Sequence, residues 1–490
     1  MSATFPTLAP LGAGRMDARA ARILAVGLGV AVCLTATQVS PLAFAWTSGL
    51  AFAAMVAYPF IAGRGIDTAD IRVFFLFYFA FAMLLRGIGL LTFVDSPYLR
   101  ELGDPHSAYL QQLVGWVFFW CAAALVAMGS GYGSPLGTRW ANAWLKRVPS
   151  LAAPWQPARI ARVAGLLLLI GGAGAILRIK LMGGLAATAG DLIGSGTSNA
   201  LGRWWLIALT EFAVAGFHVW AIGEFLKRPN GAMGRVALAG LVFMVPLYMV
   251  TSSKFLIIRV LFLPVLWRHL IVKKVPMVAL LLCFVGFGLL FPLFYAHRAV
   301  GLLGLDAIHT YLETTDAPLL KVYNRAYDAD SFVLVLHRSG IDAPLLWGKT
   351  LVDVFVFWIP RVFWEAKPSS FGLTFADIYM PDVRFQVMTY MSPSLPGELW
   401  ANFAWPGVLS GFWLLGVVMR ASREAVRRGG PAMLLVYGYL FLTFVHVVEG
   451  SIAAQLENCI SGLVPTLIAA WLLAAPRSPI SGQGAVRLGR

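Results

Sequence analysis

Charge is what this chain has least of. Of its 490 residues only 12% are Asp, Glu, Lys or Arg, where a soluble domain carries about 25%. With 59% hydrophobic residues there is too little polar surface for an ordinary water-soluble globule. Cysteine is nearly as scarce. Cys33, Cys121, Cys283 and Cys459 all fall in apolar runs, and their spacing excludes a disulfide frame or a zinc site. His297, His309 and His337 lack metal-ligand spacing. There is no Walker-type phosphate loop, nucleophile elbow or zinc-helix motif, which removes three common hydrolase chemistries. No cleavable leader is expected. The apolar run after Arg15, Arg19 and Arg22 is long enough to span, lacks a cleavage site and reads as the first helix.

What remains is a succession of apolar runs. Each is close to the roughly 20 residues needed to cross about 30 Å of hydrocarbon. The expected fold class is all-α, a polytopic membrane bundle of about twelve spans. They fall near 22–39, 42–62, 71–94, 109–130, 160–180, 201–226, 235–251, 254–272, 275–296, 396–419, 431–449 and 452–474. Three units follow: an N-terminal bundle over 1–296, a large loop over 297–395 and C-terminal helices over 396–490.

With the N-terminus in the cytoplasm, the inward connections carry the basic residues, among them Arg139, Lys146, Arg147, Lys227, Arg228, Lys273, Lys274, Arg420, Arg423, Arg427, Arg428 and Arg477. The outward connections are poor in them, as the positive-inside rule requires. The net charge of +15 is therefore a topology signal, and no nucleic-acid partner is expected. Both termini lie inside in this scheme, and 297–395 lies on the outer face of the membrane. That segment is too long for an ordinary connection and too aromatic for disorder. Within it, Leu351 to Phe363 is apolar but short and holds Asp353 and Pro360, so it reads as an interfacial or re-entrant element. The loop 183–200 is rich in glycine and hydroxyl residues.

Ionisable residues inside spans are costly and mark function. They are Arg86, Glu211, Lys254 and Arg259, with His218 and His446 as titratable neighbours. Lys254 and Arg259 fit an anion site for a phosphate near the outer leaflet. They fit equally a snorkelling lysine and an internal Arg259–Glu211 pair. The outer segment adds Arg298, Lys321, Arg325, Arg338, Lys349, Arg361, Lys367 and Arg384. Arg361 and Lys367 stand beside Trp358, Phe363 and Trp364, which suits either a lipid-linked pyrophosphate or an aromatic belt with snorkelling cations. Glu398 opens the tenth span. It reads as a carboxylate favoured by the helix dipole or as a general base for a sugar hydroxyl. Asn402 lies one turn on, on the same face, and could hold sugar hydroxyls or the leaving phosphate. Asp328-Ala-Asp330 has the look of a metal-binding pair. It is discounted, because many surface acid pairs bind nothing. No metal or cofactor is expected.

Two stretches carry a family resemblance. Ile359-Pro360-Arg361 through Trp364 and Lys367-Pro368 resembles the PR-x-x-W-x-x-KP stretch of Wzy-type oligosaccharide repeat unit polymerases. Pro393-Ser394, Gly397-Glu398, Trp400, Asn402-Phe403 and Gly407 resemble that family's P-S-x-x-GE-x-Y-x-NFG-x-x-G helix start. Trp400 stands where Tyr is usual, and Ala404 where Gly is usual. Ser252-Ser253-Lys254 is similar to a short Ser/Gly–basic motif of the same family, and the likeness covers about 250–411. It implies glycan block transfer between undecaprenyl-pyrophosphate-linked repeats at the outer face of the membrane. Membrane lipid is then a partner, as is a chain-length regulator protein. It also implies roles. Arg361, Lys367, Lys254, Arg259 and Arg298 would hold the donor pyrophosphate, and Glu398 would act on the acceptor, with Asn402 beside it.

Other readings remain open on the residues alone. An O-antigen-ligase-like enzyme shares the donor. A lipid-linked oligosaccharide flippase or other transporter suits twelve helices, although no repeat relates the two halves. Oligosaccharyltransferase-like enzymes place their acid in a substantial first outer loop, and here that loop is only about Val39 to Pro41.

Overall fold

A computed structural model describes residues 17–62, 67, 69–92, 96–102, 104, 107–181, 183–184, 204–251, 254–276, 278–279, 327–357, 359, 363–364, 367, 371–380 and 392–474. Among them the chain is helical, and its only β features are two isolated bridges. The helices are α1 (Asp17–Ala36), α2 (Pro41–Ala62), α3 (Ile71–Thr92), α4 (Ala108–Gly133), α5 (Pro135–Arg147), α6 (Pro157–Leu181) and α7 (Trp204–Lys227). They continue with α8 (Ala232–Thr251), α9 (Lys254–Ile271), α10 (Asp328–Arg338), α11 (Phe371–Tyr379), α12 (Leu395–Arg428), α13 (Pro431–His446) and α14 (Ile452–Leu473).

Seven of these, among the described residues, are long and apolar enough to cross a membrane: α2, α3, α4, α6, α7, α12 and α14. Twelve were expected. Of the others, α13 is a 16-residue helix, Pro431–His446, while side chains in parts of α1 and α8 lie outside the described residues. Three cations, Lys254, Arg259 and Arg268, interrupt the apolar run of α9. Most of the expected ninth span, 275–296, lies outside the described residues, as does most of 183–200.

Hydroxyl and carboxylate caps open the helices where the runs begin. Ser107 accepts from the Leu110 N–H, Ser134 from Leu136, Asp70 from Arg72 and Ser451 from Ala454. Each satisfies a backbone donor that the first helical turn leaves open. Small residues then set the packing. A β-carbon on Gly416 would overlap the Met128 carbonyl oxygen, and one on Gly131 the Trp413 carbonyl oxygen. Thus α4 and α12 touch backbone to backbone. Gly171 against Ala213 brings α6 and α7 equally close. Such contacts replace the hydrophobic drive that lipid-embedded helices lack.

A polar clasp joins one end of the bundle. Arg423 of α12 reaches Asp67 at 3.3 Å and Asp70 at 2.6 Å. Tyr132 of α4 donates to Asp70 at 3.2 Å. The Val275 N–H donates to His269 Nδ1 at 2.9 Å, so the His269 proton sits on Nε2 and is donated to Asp67, also at 2.9 Å. Burial alone would raise the Asp67 pKa. The His269 hydrogen bond and the Arg423 charge outweigh it and lower the value to about 2. A folded-state pKa below the ordinary carboxylate value of about 3.9 stabilises the fold above that pH. The contribution, about 2.5 kcal/mol for a shift of nearly two units, should be lost as pH falls from about 4 to about 2. Thermal unfolding in detergent across that window checks it: Asp67→Asn should flatten the dependence.

The other end of α3 holds a π-helical turn, Ala80–Leu85, immediately before Arg86. The wider turn shifts the face on which the following residues emerge. Arg86 is fully buried and grips Asp330 of α10 with two bonds, at 2.7 and 2.9 Å.

Candidate functional site

The first two turns of α12 are a separate small helix. At Phe403 (φ −139°, ψ 15°) and Ala404 (φ 53°, ψ −148°) the helical backbone is broken. The break frees carbonyls, and a neighbouring segment takes them up. Leu346 N–H donates to Ala401 O at 2.9 Å, and Trp347 N–H to Asn402 O at 3.1 Å. The Asn402 side chain completes this staple. Its Oδ1 accepts from Gly348 N–H at 2.9 Å, and its Nδ2 donates to Thr350 Oγ1 at 2.7 Å. Gly407 lets the onward helix pass the Leu399 carbonyl oxygen, which any β-carbon there would strike.

Ala404 occupies a backbone region that is essentially glycine's. Ala404→Gly should therefore stabilise the protein by about 1 kcal/mol, the relieved strain less the entropy of the unfolded glycine. A thermal midpoint that stays level or falls would count against this account of the break.

Glu398 is fully buried between three segments. Its Oε1 accepts from Thr350 Oγ1 at 2.8 Å, and its Oε2 from the Ile452 N–H that opens α14 at 2.7 Å. The helix end it complements is thus that of α14 as well as its own. Both oxygens are engaged from within the protein. That is the position of a brace, and among the described residues the carboxylate meets groups of the protein itself. Asn402 is likewise buried, and its amide also donates to the Glu398 carbonyl at 2.8 Å.

Charged groups gather around this brace. Lys367 donates to the Phe357 carbonyl at 2.7 Å and faces Glu457 of α14. Asp353 opens the one-turn helix Asp353–Val356, which packs on α14, and it faces Glu457 as well. Beyond the N-terminal side of α12, Ser392 Oγ donates to Asp328 Oδ1 at 2.8 Å. Burial, then the nearby Glu449 carboxylate, hold Asp328 well above the usual carboxylate range. Glu449 itself accepts from Tyr78 and lies 3.3 Å from His446 Nδ1. The two acids of Asp328-Ala-Asp330 therefore diverge, one to Ser392 and one to Arg86, and do not converge on a shared ligand. A cavity of about 390 Å³ lies nearby, lined by Tyr109, Gln112, Trp116, Trp120, Leu336 and Trp400.

The remaining expected anion-holding residues divide. Arg259 is buried and paired with Glu211 at 2.6 Å, lies over the Tyr439 ring and donates to Asn458 O at 3.4 Å. The internal pair with Glu211, one of the open readings for this residue, is what the structure holds. Lys254 starts α9, but its side chain lies outside the described residues, as do Arg361 and Arg298 entirely. Glu449 and Glu457 were not singled out in the sequence, and Asp353 only as a charge that marks Leu351 to Phe363 as non-spanning. Glu457 had an available signal: it is a lone carboxylate inside an apolar run, the same signal that marked Glu211.

Comparison with protein-family models, with curated proteins and with solved structures returns no match.

Proposed function

We propose that this chain polymerises undecaprenyl-pyrophosphate-linked oligosaccharide repeat units into a surface polysaccharide, by block transfer at the outer face of a bacterial inner membrane. One observation carries the reading. The stretch that resembles the polymerase family's helix start folds into a distinct helix, and its Glu398 and Asn402 bind together 346–350 and the start of α14. The residues of the resemblance thus have a common task in one place, beside Lys367 of the other matching stretch. In this reading Arg361 and Lys367 hold the donor pyrophosphate and offset the charge that develops on it. Glu398 and Asn402 keep the surrounding segments in register.

The topology belongs to the same proposal: about twelve spans, termini inside and 297–395 outside. Its support is the gathering of basic residues at one end. Gly137 of α5 packs on Arg420, and Arg428 donates to Asn142 at 2.6 Å, so Lys146, Arg147, Arg427 and Arg428 belong to the same end of the bundle.

One gel tests the function. Deletion should convert a ladder of surface glycan into a single-repeat band, and Arg361→Ala should do the same while the protein still inserts. Arg361→Ala cells with normal long-chain glycan would overturn the role given to that residue. A second reading, a transporter of lipid-linked glycan, draws support from the Glu211–Arg259 pair inside the bundle, beside the buried His218. It calls for complete loss of exported glycan on deletion, with no single-repeat band.

A further inference from the structure

We infer that Glu457 is the catalytic base of the transfer proposed above, placed to take the acceptor hydroxyl proton beside the cation that faces the leaving pyrophosphate. The inference rests on that reading of the function and gives the proton-accepting step to a carboxylate other than Glu398, which is buried and bonded through both oxygens.

The carboxylates at this end of the bundle differ in what holds them. Asp330 is spent on Arg86 and Asp328 on Ser392. Glu449 is engaged by Tyr78 and His446. Asp353 is buried where its one-turn helix meets α14. Glu457 stands half-buried, just over one turn into α14 from the Ile452 that Glu398 holds. Among the described residues no hydrogen bond or ion pair engages its carboxylate, and Gln455 and Asn458 on either side belong to the same exposed-to-intermediate turn. The charged groups facing it are Asp353 and Lys367. A carboxylate that is half open and set near a lysine is the pairing a displacement requires. The base removes a proton from the nucleophile while the cation meets negative charge on the leaving group.

The step balances without an outside reagent. The acceptor oxygen forms a bond to the donor's anomeric carbon. The bond from that carbon to the pyrophosphate oxygen breaks, and its electron pair leaves with the lipid pyrophosphate. The hydroxyl proton passes to the Glu457 carboxylate and from there to water. Lys367, whose ammonium donates to the Phe357 carbonyl, is the cation set against the departing charge in this proposal.

The test uses the full-length protein in proteoliposomes with a lipid-pyrophosphate-linked oligosaccharide repeat, and reads the product ladder. A wild-type protein that leaves the single-repeat band intact overturns the polymerase reading, and this inference with it. Given an active wild type, Glu457→Gln should lower the elongation rate at least about 100-fold, the low end for loss of a general base. The thermal midpoint should hold, and Glu457→Asp should recover part of the rate. The rate–pH profile of Glu457→Gln should also lose its acidic limb, which a purely structural role would not remove. A Glu457→Gln protein that elongates like wild type overturns the assignment while leaving the polymerase reading intact. So does a loss found with Glu449→Gln in place of Glu457→Gln. If the glutamine variant does not fold, the aspartate variant decides: a displaced acidic limb supports the base, and an undisplaced one rejects it.

Discussion

Arg86→Met should cost the protein about 3–5 kcal/mol, enough to remove most folded material from detergent extracts. The expectation follows from what the substitution leaves behind. Asp330 is as fully buried as Arg86, and the two meet through paired bonds at 2.7 and 2.9 Å. Without the guanidinium, the carboxylate is a buried charge that has lost its partner. Removing both charges is a different experiment, since a buried pair replaced by apolar side chains is often neutral or better. The double variant Arg86→Met with Asp330→Leu should therefore regain most of the stability that Arg86→Met loses. A double variant no better than the single one would show that the pair is needed for more than mutual neutralisation. Folded yield and thermal midpoint of the four proteins complete the cycle.

Glu398→Ala should be comparably damaging, for the complementary reason. Two donors, the Thr350 hydroxyl and the Ile452 N–H, would lose their acceptor in a buried site. Each costs on the order of 1–3 kcal/mol when left buried and unsatisfied. Glu398→Gln keeps an acceptor oxygen for one of the two and should fall between alanine and wild type. The order Ala below Gln below wild type in thermal midpoint is the expected result. Equal midpoints for all three would show that the carboxylate does not hold these segments together.

The seven long apolar helices were legible from the sequence because run length is a local property, whereas the shorter α5, α10 and α11 were not expected. The start of α12 at Ser394-Leu395, the opening of α14 after Ser451 and the break in apolarity within α9 can all be read along the chain. The partners could not be read. Nothing near Arg86 points to Asp330, 244 positions away, nor does anything near Arg259 choose Glu211 over a phosphate. The π-helical turn before Arg86 is also invisible, because an i→i+5 turn depends on the packing around it. Nor could the surroundings of Glu398 be read: its place at a helix start and its likeness to a family motif suggested chemistry, and its bonds to Thr350 and Ile452 come from segments about fifty positions away on either side. Glu457, set in an apolar run with no motif around it, has the more open carboxylate.

The brace at Glu398 also has a consequence for the order of biosynthesis. Its acceptor oxygens wait for Ile452, at the head of the last described helix, and Leu395 N–H waits for the Val448 carbonyl at 3.0 Å. Everything else in the locus, from Asp328 through Asn402, has left the ribosome before either partner exists. The site is therefore assembled only when the final helical pair docks. A nascent chain ending after α12 would carry both stretches of the family resemblance and still lack the surface that joins them.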